Sequence, residues 1–466
     1  MKKWLYIIVI LFLGMASCKK ESFITSSDAT IYISSDTIKY DTVFVTTGSI
    51  TQTFKIFNTN NQKLLLSQVK LMGGSSSPFK ININGIAANQ LSNIEIAAND
   101  SIYVFVSVTI NPNTDNLPFI VSDSISINYN GNEKFVQLQA YGQNAHFLNH
   151  EIIEGNVTWT NDLPYVILGS LQIDTTATLN INAGCKIYAH ADAPILVDGT
   201  MVINGEKNNE VIFTGDRLDE DYKDLPASWP GIYFRTTSSN NEMKFAIIKN
   251  ANQAVVVSAP SINANPKLSI HQCIINNAFD AGLLINNSFV NVDNSLISNC
   301  GNNINIINGG EYHFTNCTAA AFSNIFMLHR NPVLQVNNFS YENGNIITND
   351  ISATFSNCIF WGDGGIIDDE VMVNKEGNNL FNVMMSNCLY KSANGINNTV
   401  LNANIINEEP FFDSIDVIKN YYDFRMNNAI SSPAIDNGGN TSFPLDLDNQ
   451  PRQSGNNTDI GCYEKQ

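Results

Sequence analysis

Leu268-Ser269-Ile270-His271-Gln272-Cys273 returns 22 residues later as Val290-Asn291-Val292-Asp293-Asn294-Ser295, and 22 after that as Tyr312-His313-Phe314-Thr315-Asn316-Cys317. In each segment the first and third side chains are apolar, the second and fourth polar, and the fifth is Asn or Gln. The same frame recurs at Leu334-Gln335-Val336-Asn337-Asn338-Phe339, at Ala353-Thr354-Phe355-Ser356-Asn357-Cys358 and at Val383-Met384-Met385-Ser386-Asn387-Cys388. Alternation with period 2 is the mark of a strand with one face buried. A short strand closed by a fixed Asn and repeated at intervals of roughly 20 to 30 residues reads as a β-solenoid. On this frame Ile270, Val292, Phe314, Val336, Phe355 and Met385 are expected to form a single inward column.

The repeat reaches upstream. Ala246-Ile247-Ile248-Lys249-Asn250-Ala251 echoes Cys273-Ile274-Ile275-Asn276-Asn277-Ala278, and Gly169-Ser170-Leu171-Gln172-Ile173 echoes Gly199-Thr200-Met201-Val202-Ile203. Loop lengths vary while the strand core does not, which a parallel β-helix tolerates because only the inward residues must match from coil to coil. Asn suits the corner, since it accepts left-handed backbone geometry and its amide can bond to the Asn of the next coil, ~4.8 Å away. The rival, a leucine-rich repeat, lacks its Leu-x-x-Leu-x-Leu frame here.

The chain has 466 residues, of which 43 are acidic and 25 basic, giving a formal charge of −18. That balance excludes a nucleic-acid partner, which wants a basic stripe. Charged residues at 15% beside 44% hydrophobic ones exclude a disordered chain. Lys2-Lys3, the apolar run from Trp4 to Leu13 and the small residues before Cys18 read as a lipoprotein signal peptide over residues 1–17, with Cys18 the lipidated residue. Losing Lys2 and Lys3 takes the mature charge to −20. Lys19-Lys20-Glu21 resembles the short signal that follows the lipidated Cys in surface lipoproteins of Bacteroidetes. The expected address is the cell envelope, on the outer membrane, facing either the periplasm or the cell surface, with the lipid as membrane partner.

After a linker at 18–28, strand-like runs at 30–34, 41–47, 51–57, 64–71, 101–110, 124–128 and 135–141 alternate with Asn-rich turns. They predict a β-sandwich over 29–145, which looks like the immunoglobulin-like modules at the front of many surface lipoproteins. The fold class is therefore all-β: a sandwich followed by a parallel β-helix over 146–466, ending in a capping tail. Val211-Ile212-Phe213-Thr214-Gly215-Asp216-Arg217-Leu218-Asp219, running on to Trp229-Pro230-Gly231-Ile232, and the tail Ser432-Pro433-Ala434-Ile435-Asp436 through Asp459-Ile460-Gly461-Cys462-Tyr463-Glu464 carry a family resemblance. On these segments the chain resembles right-handed parallel β-helix proteins of the pectin-lyase-like superfamily, and within it lipidated members from Bacteroidetes. That superfamily holds polysaccharide lyases, hydrolases, adhesins and inert scaffolds, so the resemblance implies a fold more than a reaction.

Lyases of this kind need Ca²⁺ or an amide to neutralise a uronate, and hydrolases need two carboxylates across one groove. Two acidic clusters qualify as candidates. Asp216, Asp219 and Asp221, with Glu220 and Asp224 beside them, would either hold Ca²⁺ or form a salt-bridged loop with Arg217 and Lys223. Asp363, Asp368 and Asp369, with Glu370, follow Trp361, whose ring would stack on a sugar. Asp446, Asp448 and Asp459 read as turn residues over the last coil, with Asp459 facing Arg452. The cysteines read as small buried apolar groups, not as zinc ligands or disulfides. His271 and His313 fall on outward strand positions two coils apart. The sum is a lipid-anchored, non-catalytic envelope protein that binds glycan on a β-helix surface; the alternative is a polysaccharide lyase or glycoside hydrolase.

Overall fold

Strands supply nearly all the regular structure of this chain. The computed structural model describes residues 22–44, 48–111, 119–342, 344–427 and 429–466, and Cys18 lies outside them. Among the described residues the one helical turn is the 3₁₀ segment Gly74–Ser76. The chain divides into two compact units, Met1–Asn144 and Ala145–Gln466.

The first unit holds two five-stranded sheets. One runs in the order Ile31–Ile33, Gln52–Asn58, Ser101–Val108, Phe79–Ile83 and Ile86–Ala87, antiparallel throughout. The other contains Thr37–Phe44, Asn132–Gln143, Phe119–Tyr129, Leu64–Leu71 and Gln90–Ile96, with a parallel pair between its first two members. Phe54, Ile56, Val104 and Val106 of the first sheet are buried, as are Leu64, Leu66, Ile125 and Ile127 of the second. The Tyr40 hydroxyl links the two layers, donating to the carbonyl of Val106 at 2.5 Å. Three strands, 79–83, 86–87 and 90–96, add to the seven that the sequence suggests. Asn84 and Gly85 both take positive φ, the hairpin geometry that an Asn-Gly pair supplies, and so pair the first two of them.

The second unit is a parallel β-helix whose coils each run through three sheets. The first sheet stacks Lys186–Ala189, Val211–Gly215, Ala246–Lys249, Ile274–Asn276, Leu296–Ser298, Thr318–Phe322, Ile359–Asp363 and Leu389–Tyr390. The second includes Ile195–Val197, Ile232–Phe234, Gln253–Ser258, Leu334–Asn337 and Val371–Asn374. The third includes Thr200–Asn204, Asn241–Lys244, Leu268–His271, Ile351–Ser356 and Phe381–Ser386. The long strands Ala281–Asp293 and Asn302–Thr315 bend from the second sheet into the third. Gln272, Asn294, Asn316, Asn357 and Asn387 turn the chain from the third sheet back to the first, all with φ between 46° and 54°. Asn316 Nδ2 donates to Asn294 Oδ1 at 3.3 Å and Asn357 Nδ2 to Asn316 Oδ1 at 3.0 Å, a ladder of amides up the corner. A second ladder, not read from the sequence as such, stands at the next corner: Asn250, Asn277 and Asn299 share positive φ, and Asn277 donates to Asn250 at 2.8 Å.

One row of the repeat frame is corrected. Leu334, Gln335 and Val336 pair with Ile304, Asn305 and Ile306, which places them in the second sheet. Phe339–Glu342 leaves the helix altogether, in a hairpin with Asn345–Thr348. The third 22-residue interval is thus coincidental, because strands of the second and third sheets share the same alternation. The inward column runs Ile270, Val292, Phe314, Phe355, Met385, each at most 1% exposed. Phe314 and Phe355 are direct neighbours with ring centroids 5.2 Å apart. Cys317 and Cys358 are neighbours too, and all seven described cysteines are free and buried. Burial pushes the Cys273 thiol up to about 12, so it packs as an apolar group.

Residues 432–466 lie along the flank of the helix, against the first sheet. Phe424, Leu447, Cys462 and Tyr463 pack on the outward Leu296 and Ala320 of the first sheet, and Met426, Ala434 and Ile460 on Ile359 and Leu389. Arg452 is buried here, donating to Asn294 Oδ1 at 2.7 Å and to the carbonyl of Gly461 at 2.9 Å.

Candidate functional site

The acidic clusters singled out in the sequence do not converge. Asp216 leaves the first sheet and meets His190 Nδ1 at 2.7 Å. Asp219 is forked by Arg217 at 2.8 and 3.1 Å, Glu220 pairs with Lys223 at 2.7 Å, and Asp221 is exposed. The carbonyls of Lys223 and Asp224 accept from Asn250 and Asn277, so this loop is clasped to the second Asn ladder. Asp363 stands 3.7 Å from Lys391, and Asp368 is exposed. Asp369 accepts from Ser392 Oγ at 2.6 Å and from the Asn394 N–H at 3.0 Å and Nδ2 at 2.6 Å. The Asn394 backbone N–H, then Ser392 and the Asn394 amide, hold its carboxyl below the usual range. Glu370 is buried against His329, with both its oxygens within 3.0 Å of Nε2. Trp361 is half-buried against Ile359 and Leu389, under the Lys391 ammonium at 5.7 Å.

Both loops leave the first sheet at the same corner. Five coil steps separate Val211–Gly215 from Ile359–Asp363, roughly 24 Å at the ordinary strand spacing, so they cannot share one ligand atom. The tail carboxylates are likewise apart. Asp448 bonds Lys207 at 2.7 Å and Arg425 at 2.6 Å, whereas Asp446 and Asp459 accept backbone N–H groups. Arg452 faces Glu464 at 3.8 Å. Among the described residues no group of three or more His, Cys, Asp or Glu is placed to hold a metal ion.

The outward face of the third sheet carries two rows of polar groups in register. One row climbs Lys244, His271, Asp293, Thr315 and Ser356, and its neighbour climbs Glu242, Ser269, Asn291, His313 and Thr354. His271 Nδ1 bonds Asp293, whose other oxygen accepts from Asn294 Nδ2 at 3.1 Å. Asp293 is buried, and its hydrogen bond, opposed by desolvation, raises the His271 pKa above the ordinary imidazole value. His313 is set between Thr354 Oγ1 at 2.8 Å and Glu311 at 3.3 Å, with Phe289 edge-on at 6.1 Å. A cleft of about 270 Å³ opens at one end of the face, where Glu242, Lys244, His271 and Asp293 meet Phe443-Pro444-Leu445 of the tail. A second, of about 410 Å³, opens at the other end around Phe289, Glu311, Asp350 and Leu380.

These residues escape a reading along the chain because they are neighbours only across coils. The outward positions of His271 and His313 are legible from alternation. Stacking the segments in register adds the missing signal, since it sets His271 beside Asp293 and Thr354 beside His313. Chemically the face offers hydroxyl, amide and imidazole groups at the coil spacing, which suits a linear ligand that repeats its own hydroxyls. The buried carboxylate behind His271 also gives one imidazole a fixed tautomer, as a proton-transfer group requires.

Residues 151–260 match the family described as Pectate-lyase like beta helix domain. No curated protein matches the chain. Among solved structures, the catalytic unit of a thermostable GH87 alpha-1,3-glucanase from Streptomyces thermodiastaticus aligns over 79% of this chain and 91% of its own, at 11% identity and a TM-score of 0.25. A family 123 glycoside hydrolase from Clostridium perfringens aligns over 26% of this chain at 14% identity and a TM-score of 0.19, and the chain spans 30% of its length. The PapD-like domain 7 of human CEP192 aligns over 27% of this chain and 92% of its own, at 9% identity and a TM-score of 0.18.

Proposed function

We propose that the β-helix binds an extended neutral polysaccharide along the outward face of its third sheet, at the cell envelope, held there by lipid on Cys18. The observation that carries this reading is the pair of polar rows from Lys244 to Ser356 and Glu242 to Thr354, flanked by a cleft at each end. A neutral chain fits better than a polyuronate, because a formal charge of −18 repels polyanions unless Ca²⁺ intervenes. Binding fits better than cleavage, because Asp363, Asp369 and Glu370 are each tied to a neighbouring side chain. Affinity electrophoresis through laminarin, xyloglucan, galactomannan or soluble starch tests it. Retardation in at least one gel is expected, weakened about tenfold in the Asn291→Ala/His313→Ala double variant. Unchanged migration of the wild type in every gel would refute the reading.

A second reading has its own observation. His271 backed by buried Asp293, with Glu242 lining the same cleft, would supply the acid and base of a polysaccharide lyase or hydrolase. Incubation with neutral and acidic polysaccharides, with and without Ca²⁺, followed by assays for unsaturated product and reducing ends, separates the two. Turnover that vanishes in His271→Ala would replace binding by catalysis.

A further inference from the structure

The first unit carries a surface that the third-sheet reading does not use. On the sheet containing Ile31–Ile33, Gln52–Asn58, Ser101–Val108 and Phe79–Ile83, the outward side chains are Tyr32, Phe57, Lys55, Tyr103 and Phe105, with Thr53, Ser101, Ser107, Asn82 and Lys80 between and beside them. On these four strands every outward apolar side chain is a ring. The edge strand Ile86–Ala87 adds aliphatic groups at one margin, Ala87 beside Asn82 and the exposed Ile86, and no carboxylate stands on these strands, although the chain as a whole is strongly acidic. The opposite sheet has an ordinary solvent face, mixing Asp41, Glu95 and Glu133 with the exposed Ile120.

The rings form two pairs. Tyr32 and Phe57 face each other across neighbouring strands with centroids 5.6 Å apart. Tyr103 and Phe105, two residues apart on one strand, are near-parallel with centroids 5.9 Å apart. Lys55 bridges the pairs, its Nζ 4.5 Å from the Tyr103 ring and 6.0 Å from that of Phe57. Tyr32, Tyr103 and Phe105 stay 57%, 42% and 38% exposed. From Tyr32 to Phe105 the track crosses two strand spacings and four residues, about 17 Å.

We propose that this face is a second glycan-binding site, taking a neutral sugar chain by stacking on its rings. A pyranose presents a face of C–H bonds, which packs on the electron-rich face of an aromatic ring, and a rim of hydroxyls. The surface supplies the complement of both: rings for the faces, and the hydroxyls of Thr53, Ser101 and Ser107 with the Asn82 amide and the two lysines for the rims. A protein partner would be met by aliphatic as well as aromatic side chains, and around the rings there are none, the aliphatic Ile86 and Ala87 standing apart on the edge strand. The proposal shares its ligand class with the third-sheet reading but stands on different residues.

The experiment uses the full chain and the same gels of laminarin, xyloglucan, galactomannan and soluble starch. Tyr103→Leu, which keeps apolar bulk and removes the ring, and Tyr32→Ala should each weaken binding about tenfold, while Tyr103→Phe should bind like the wild type. Thermal melts should not move, since these side chains are exposed. Loss in the ring variants with normal binding by Asn291→Ala/His313→Ala would keep this site and sink the third-sheet reading. The reverse pattern would sink this site alone. Binding that survives Tyr103→Leu, or a dimer in sedimentation that dissociates in the ring variants, would overturn the proposal, the latter by making the face a contact between copies.

Discussion

Phe355→Ala and Phe339→Ala separate the observed coil register from the one that the 22-residue spacing suggests. Phe355 is 1% exposed, pairs in register with Phe314 and Met385, and touches both Phe314 at 5.2 Å and Phe360 at 5.7 Å between centroids. Truncation removes a whole ring from a stack that coils above and below hold rigid, so the cavity cannot collapse. Loss of about 3–5 kcal/mol is expected. Phe339 sits half-buried in a hairpin outside the helix, with Tyr341 edge-on at 5.8 Å, and its truncation should cost about 1 kcal/mol. Urea unfolding followed by circular dichroism gives both numbers. Coils fold as neighbours in a row, so the transition should be checked for a single step before a free energy is taken from it. Equal losses in the two variants, or a larger loss for Phe339→Ala, would refute the register.

Asn316→Ala should cost about 2–4 kcal/mol, since it breaks amide bonds to Asn294, Asn357 and Thr441 and leaves an alanine at φ 53°; Asn316→Gly should recover part of that by relieving the backbone, as paired melts would show. Burial pushes the Glu464 carboxyl up to about 7. A raised folded value means that its stabilising contribution is full below the unfolded value of 4.5 and is lost as pH rises from there through about 7, so melting should fall between pH 5 and 7 in the wild type and less steeply in Glu464→Gln. Asp293→Asn should lower the His271 pKa measured by NMR, because it removes the anion that raises it; an unchanged titration would mean the imidazole is not held by Asp293. Labelled fatty acid should enter the wild type and not Cys18→Ala, and equal labelling would remove the lipid anchor from the account.

The difference between what was legible and what was not lies in the range of the interactions. Alternation and the Asn corner are local. Asn316 must take a left-handed turn whatever its neighbours do, so inward Phe314 and buried Cys317 could be placed from the sequence. Val336 could be placed inward but not in a sheet, because a strand of the second sheet alternates just as one of the third does. The ambiguity lifts only with the pairing of Leu334 to Ile304, a contact that the spacing cannot encode. The same limit hides the site. Asp216 and Asp363 stand out because each lies in a short acidic run, yet a run in a loop is most often solvated and paired at home, as Arg217 and Lys391 show. The residues that face one ligand on a β-helix come one per coil, some 20 or more positions apart, and each looks ordinary alone. His271, Asp293, His313 and Thr354 acquire meaning when the coils are stacked, just as Tyr32, Phe57, Tyr103 and Phe105 do when three strands of the first unit are laid side by side. For a fold built by stacking, the pattern across the strands carries the function, and the pattern along them carries the shape.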